Sequence, residues 1–294
     1  MKLFPLKHLI ISSVLLVKLC AAPLSQEELT ALQSDSELAA TQLAEGKFSE
    51  AAQTALKAAT AGEKALGADN SGVLATRNTL ASALKGLGRY AEAEGIMRDL
   101  VERLSRLQSP EHPITLGART NLANTLNYLG KYTEAETTHR EVLALKSRII
   151  GPQHPDTLLT RYNLADCIEK QAKHKEAENE FRQVIKGMSD IAGPSHPGVI
   201  MSRIGLGASL SGQKKYAESE SELREALALA EQALGNDHPE TLRALHALAL
   251  TLMREDKKAE ALTFATRAQI GTTKVLPEKH PLRLECEGLV KNLR

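Results

Sequence analysis

The strongest constraint on this chain is a period. His112, His154, His196, His238 and His280 are each followed by proline and stand 42 residues apart. The phrase around them repeats too: "SPEHPITLGARTNLAN" from Ser109, "GPQHPDTLLTRYNLAD" from Gly151, "GPSHPGVIMSRIGLGA" from Gly193 and "GNDHPETLRALHALAL" from Gly235. A degenerate copy, "GADNSGVLATRNTLAS" from Gly67, keeps the register with Asn70 in the histidine position. A fixed period of this length belongs to an array of one supersecondary unit, in which neighbouring copies bury each other's apolar faces.

The unit reads as two helices. In the third repeat Leu116, Leu122, Leu126 and Leu129 form one stripe up to Gly130, and after Tyr132 it resumes with Ala135, Val142, Leu145 and Ile149. Proline suits the first turn of a helix, where its missing N–H has no intrahelical partner. Asp156, Thr157, Glu240 and Thr241 sit just inside that turn, where free N–H groups favour acidic and hydroxyl residues. The histidine falls at the N-cap. Histidines one repeat apart are separated by about 10 Å, the thickness of a helix layer, so they do not converge as metal ligands must. They are read as helix starts.

Between the helices stand "GKFSEAA" at 46, "GRYAEAE" at 88 and "GKYTEAE" at 130. Glycine ends the first helix in a left-handed conformation, the aromatic plugs a gap between helices, and a small residue lets the backbones approach. That small residue is Ala51, Ala93, Ala135, Ala177, Ser219 and Ala261 in turn. Later repeats depart from the pattern: Ala172, Lys214 and Asp256 replace the glycine, and Lys258 replaces the aromatic.

Composition agrees with packed helices, since 42% of residues are hydrophobic but only 3% are aromatic, leaving Leu and Ala to build the core. By length alone 294 residues suggest about two ordinary domains, but the repeat makes one elongated array. Lys plus Arg number 37 against 36 Asp plus Glu, a balance without a phosphate-tracking footprint, so nucleic acid is not an expected partner. Cys20, Cys167 and Cys286 lack redox or metal spacing and are read as unbridged. No nucleophile–base pair, phosphate loop or metal spacing is present, so the expectation is a non-enzyme with no cofactor, no metal and no small-molecule substrate.

Residues 1–24 differ from the rest. Lys2, Lys7 and His8 precede the apolar "LIISSVLLV", and Lys18 and "LCAAP" follow. This is the outline of a signal peptide, too short for a bilayer span of about 20 residues. If cleaved, the protein is exported to periplasm or envelope; if uncleaved, residues 1–20 make a shallow membrane contact at the cytoplasmic face. The array is expected over residues 25–294, with helix pairs near 28–66, 71–108, 113–150, 155–192, 197–234 and 239–276 and a capping helix over 281–293.

"NLA" in the first helix, "GKYxEAE" at the turn and "HP" opening the next unit resemble tetratricopeptide repeats of the kinesin light chain type. The resemblance covers about residues 28–294 and implies an all-α, right-handed superhelical solenoid whose first helices line a concave face. A stand-alone array with a short apolar N-terminus is most similar to bacterial kinesin light chains, which accompany bacterial tubulins. It therefore implies a protein-binding scaffold for a tubulin polymer, with an exported adaptor for extended peptides as the alternative. The family's groove positions fall on Asn78, Ser82 and Lys85, then Thr120, Asn121, Asn124, Asn127 and Tyr128, then Tyr162, Asn163, Asp166, Glu169 and Lys170. Tyr128 and Tyr162 are expected as exposed anchors, and Ile204, Gly205, Ala208, Ser211 and Gly212 as a shallow floor. Glu136 and Arg140 are expected on an inert outer face. Arg77, Arg119, Arg161 and Arg203 replace the family's large apolar residue, and their heads either meet acidic neighbours or form a ligand row.

Overall fold

A computed structural model describes residues 25–294, the side chain of Glu28 excepted. Among them thirteen helices follow one another: α1 (Gln26–Ala44), α2 (Phe48–Leu66), α3 (Ser71–Gly86), α4 (Tyr90–Leu107), α5 (Pro113–Tyr128), α6 (Tyr132–Ile149), α7 (Pro155–Lys170), α8 (His174–Ala192), α9 (Pro197–Gly212), α10 (Tyr216–Leu234), α11 (Pro239–Arg254), α12 (Lys258–Val275) and α13 (Pro281–Leu293). Each packs on the next, giving the expected solenoid of six pairs and a cap. The signal or anchor reading of residues 1–24 lies outside the described residues.

The repeated histidine is a helix cap. In α5, α7, α9, α11 and α13 its Nδ1 accepts the backbone N–H two residues on, at 3.1–3.3 Å, with proline filling the first turn. The imidazole does what Asn70 does at the head of α3, where Oδ1 accepts from Gly72 N at 2.9 Å. Only a neutral ring with its proton on Nε2 can accept in this way.

The turn after each first helix is left-handed. Gly46, Gly88 and Gly130 share a φ of +74°, and Ala172, Lys214 and Asp256 are forced to +58°, +64° and +63° at the same step. A side chain there meets its own carbonyl, costing about 1 kcal/mol. Ala172→Gly is therefore expected to raise stability by roughly 0.5–1 kcal/mol in urea unfolding; no gain would show that local relaxation had already removed the strain.

Beyond the turn, Ala51, Ala93, Ala135, Ala177, Ser219 and Ala261 are fully buried. Ser219 keeps its hydroxyl satisfied by donating to the Gly207 carbonyl at 2.7 Å. The ring that opens α2, α4 and α8 packs on the last turn of the next repeat's first helix. Tyr90 stacks on Tyr128 with centroids 5.0 Å apart, and the Phe48 and His174 rings fill the space beside Gly86 and Gly212.

The apolar core is segmented. One cluster runs from Ala39 to Leu126 and reaches Ala135 and Cys167; a second runs from Leu143 to Leu210 around Phe181; a third from Leu223 to Cys286. Cys167 and Cys286 are buried free thiols, both pushed up to about 11 by burial.

The four arginines form a structural ladder within repeats. Arg77 meets Asp99 at 2.9 Å, Arg119 meets Glu141, Arg161 meets Glu180 at 2.5 Å, and Arg203 meets Glu222 and Glu225. Each joins a first helix to the second helix of its own pair.

Candidate protein-binding groove

Curvature follows from which helices approach. Backbones of successive first helices come within 8 Å of each other from α1 to α13, whereas among the described residues those of successive second helices never do. First helices therefore form the inner wall. Outside, only long side chains span neighbouring second helices. Arg98 reaches Glu134, Arg140 reaches Glu176 and Arg224 reaches Glu260.

A row of carboxylates, Glu94, Glu136, Glu178 and Glu220, anchors this outer edge. Each pairs with the arginine four residues on and with the lysine that precedes the next second helix: Lys131, Lys173, Lys215 and Lys257. Burial alone would raise the Glu136 carboxyl, but hydrogen bonds from Lys173, Gln171 and Arg140 outweigh it and hold it at about 2. Glu178, held by Gln213, Lys215 and Arg182, lies at about 2 as well. Glu136 and Arg140 are thus not an inert outer surface; they tie the third repeat to the fourth.

On the inner wall Asn78, Asn121, Asn124, Tyr128, Asn163, Asp166 and Lys170 are at least half-exposed or intermediate. The Asn121 amide donates to Asn78 Oδ1 at 3.0 Å, bridging α3 and α5. Lys170 Nζ pairs with Asp166 at 2.7 Å and lies 5.4 Å from the Tyr128 ring centre. Tyr128 is 53% exposed although one face is stacked on Tyr90. Ser82 and Lys85 are intermediate, and burial pushes the Lys85 ammonium down from its ordinary range.

Other expected groove residues are committed elsewhere. Thr120 is buried with its hydroxyl on the Leu116 carbonyl at 2.9 Å, and buried Asn127 donates to Asp166 at 3.0 Å. One residue along a helix turns a side chain by about 100°, which takes positions 120 and 127 off the face shared by 121, 124 and 128. Tyr162 is half-buried, its ring edge-on to Phe181 with centroids 6.0 Å apart, rather than an exposed anchor. Glu169 bonds His174 at 2.9 Å and Ser209 at 2.6 Å, tying α7 to α9. The fifth repeat offers no shallow floor: a side chain on Gly205 or Gly212 would collide with the Phe181 or His174 ring, and buried Ser211 is taken by Arg254 at 2.8 Å.

Two features of the groove escape the sequence reading. Arg243, on α11, is one: partial burial opposes its charge, but Glu240 of its own helix, followed by Tyr162, Tyr128 and Asp166 of other helices, outweighs that effect and raises its pKa. The second is a cleft of about 570 Å³ between α3 and α5, walled by Leu74, Leu100, Leu104 and Leu107 with the Asn78–Asn121 amides at its edge. It exists because Ala75 and Gly117 occupy a register filled by Leu159, Met201 and Arg243 in later repeats. A side chain added at Gly117 would meet only open space. Among the described residues no group of His, Cys, Asp or Glu is placed to hold a metal ion.

Stacked helix pairs, a polar and aromatic inner wall and an apolar cleft define a helical-repeat protein built for contact with other molecules. The chain belongs to the tetratricopeptide repeat family, whose models match residues 73–114, 114–190 and 198–269. No curated protein matches it by sequence. Among solved structures it is similar to the nearly identical TPR-like repeats of a candidate kinesin light chain from Podosopora anserina, with TM-score 0.57, 21% identity, and 70% of this chain and 97% of that one covered. It is also similar to BtubC (BKLC) from P. vanneervenii, with TM-score 0.58, 16% identity and coverage of 85% and 94%. A third likeness is to NprR in complex with its cognate peptide NprX, with TM-score 0.67, 12% identity and coverage of 93% and 73%. At these identities the likeness is one of fold.

Proposed function

We propose that this protein is a non-catalytic scaffold that holds an extended segment of a partner protein along its inner groove. The observation that carries the reading is the cleft between α3 and α5, apolar within and edged by the Asn78–Asn121 amide pair. Asparagine donates and accepts at once, so it suits a peptide backbone, while an apolar cleft takes a side chain. The likeness to NprR, a protein in complex with its cognate peptide, supports a peptide as the bound form; the resemblance of the repeats to bacterial kinesin light chains makes a bacterial tubulin polymer the proposed partner that presents it. A membrane link through residues 1–20 belongs to the same proposal.

Filling the cleft tests it. Gly117→Leu copies Leu159 of the next repeat and has room for its side chain. It is expected to weaken binding of the array to assembled bacterial tubulin, or to the best binder from a synthetic peptide library, at least tenfold, about 1.4 kcal/mol. Stability is expected to rise, since a mid-helix glycine is lost. Gly95→Ala, on the exposed outer face of α4, is the control. Unchanged binding by Gly117→Leu would remove the cleft from the proposal; no binding by wild type to either probe would remove the partner class.

A further inference from the structure

One core position of the array carries a titratable group. The slot is Ala55, Met97, His139, Phe181, Leu223 and Ala265 in successive repeats, all buried. His139 is 0% exposed, and neither ring nitrogen has a hydrogen-bond partner. Buried polar atoms are normally paired, so an imidazole in a leucine slot is a weak point in the packing. Its location matters more than its count: two core clusters overlap around α6, the first running through Ala135 to Cys167 on α7 and the second starting at Leu143. On α5, which packs against α6, Asn127 leaves its own Oδ1 buried and unpaired while its amide holds Asp166 on the groove wall.

We propose that His139 is an acid-sensitive joint between the third and fourth repeats: protonation of its unpaired imidazole parts α6 from α7, so that the array yields at this point first. A charged ring cannot stay in an apolar slot without partners. Of the helices packed against α6, α7 brings Asp166, which favours the charge, and α5 brings the neutral Asn127; Lys146, on α6 itself, opposes the charge. Burial is the largest influence and pushes the ring from 6.5 down to about 4. The sign follows: the open form takes up its proton near 6.5 and the closed form only near 4, so closure weakens as pH falls through that window. At pH 5 opening is favoured roughly 30-fold relative to pH 7.5. Parting at this joint separates Tyr128 from Asp166 and Lys170, whatever the groove holds.

Amide hydrogen exchange on the whole chain at pH 7.5 and 5.0, corrected for intrinsic rates, tests the joint. Protection in α6 and α7 is expected to fall roughly 30-fold in wild type and to change little in His139→Phe, which takes the side chain of the following repeat. His139→Met, the side chain of the preceding repeat, is the second variant in case phenylalanine overpacks. The other eight histidines, His174 at the head of α8 among them, remain in every form, so their contribution cancels. Equal falls in wild type and both variants, or a fall spread evenly over all repeats, would overturn the proposal.

Discussion

Converting Glu136, Glu178 and Glu220 to glutamine together is expected to cost the array about 6 kcal/mol at neutral pH. Their side chains are only 13, 11 and 16% exposed, and each holds an arginine of its own helix and a lysine from the following repeat. Removing one member of a well-buried pair costs roughly 3–5 kcal/mol. Here the lysines and arginines reach into solvent, so about 2 kcal/mol per site is the appropriate scale. Glutamine keeps the shape, so the loss reports charge rather than packing. The carboxylates lie at about 2 when folded, against an ordinary 4.5. Their contribution is thus complete above about pH 5 and disappears as pH falls toward 2. Urea unfolding followed by circular dichroism should give a wild-type stability that drops across this acid range and a triple variant that is low but nearly flat. A variant within 1 kcal/mol of wild type at pH 7.5 would show that these pairs are solvent-compensated.

Phe181→Ala is expected to cost about 4 kcal/mol. Phe181 is the largest of the fully buried side chains; it centres the cluster from Leu143 to Leu210 and fills the gap that Gly205 leaves. Its loss opens a cavity that the glycine cannot close and frees the edge of Tyr162. In a linear array each repeat leans only on its neighbours, so the damage is also expected to split one cooperative unfolding transition into two. Phe181→Leu, the residue of the same slot two turns of the pattern later than His139, should cost only about 1 kcal/mol. Equal losses for alanine and leucine would mean that the ring's shape, not its volume, is what the site requires.

The fold was legible because its determinants are local and periodic. The histidine–proline caps, the left-handed glycines at 46, 88 and 130, and the small residue from Ala51 to Ala261 each act within a few residues of themselves. The groove was legible only to the nearest helix face. Asn121 and Asn124 lie on the inner wall, but Thr120 and Asn127, one position away, turn into the core. Tyr162 was misjudged as exposed because Phe181, nineteen residues on, covers it in three dimensions. The Glu94, Glu136, Glu178 and Glu220 row was visible as a recurrence in the sequence. Its meaning was hidden because each lysine partner comes from the following repeat. His139 stood among nine histidines, set apart from the caps by the lack of a following proline, but nothing local showed that its ring would be buried without a partner.

The unequal edges of the solenoid have a mechanical consequence. Inner helices approach closely through their backbones and add short hydrogen bonds such as Asn121–Asn78 and Glu169–Ser209, whereas outer helices are tied by charged arms such as Arg98–Glu134 and Arg140–Glu176. Screening shortens from about 10 Å at 0.1 M salt to about 3 Å at 1 M, and it slackens those arms selectively. The molecule is a coil spring with a stiff inner seam and an ionic outer one. Its pitch, and with it the width of the groove, is expected to change with the ionic strength of its surroundings, which small-angle scattering across a salt series would read.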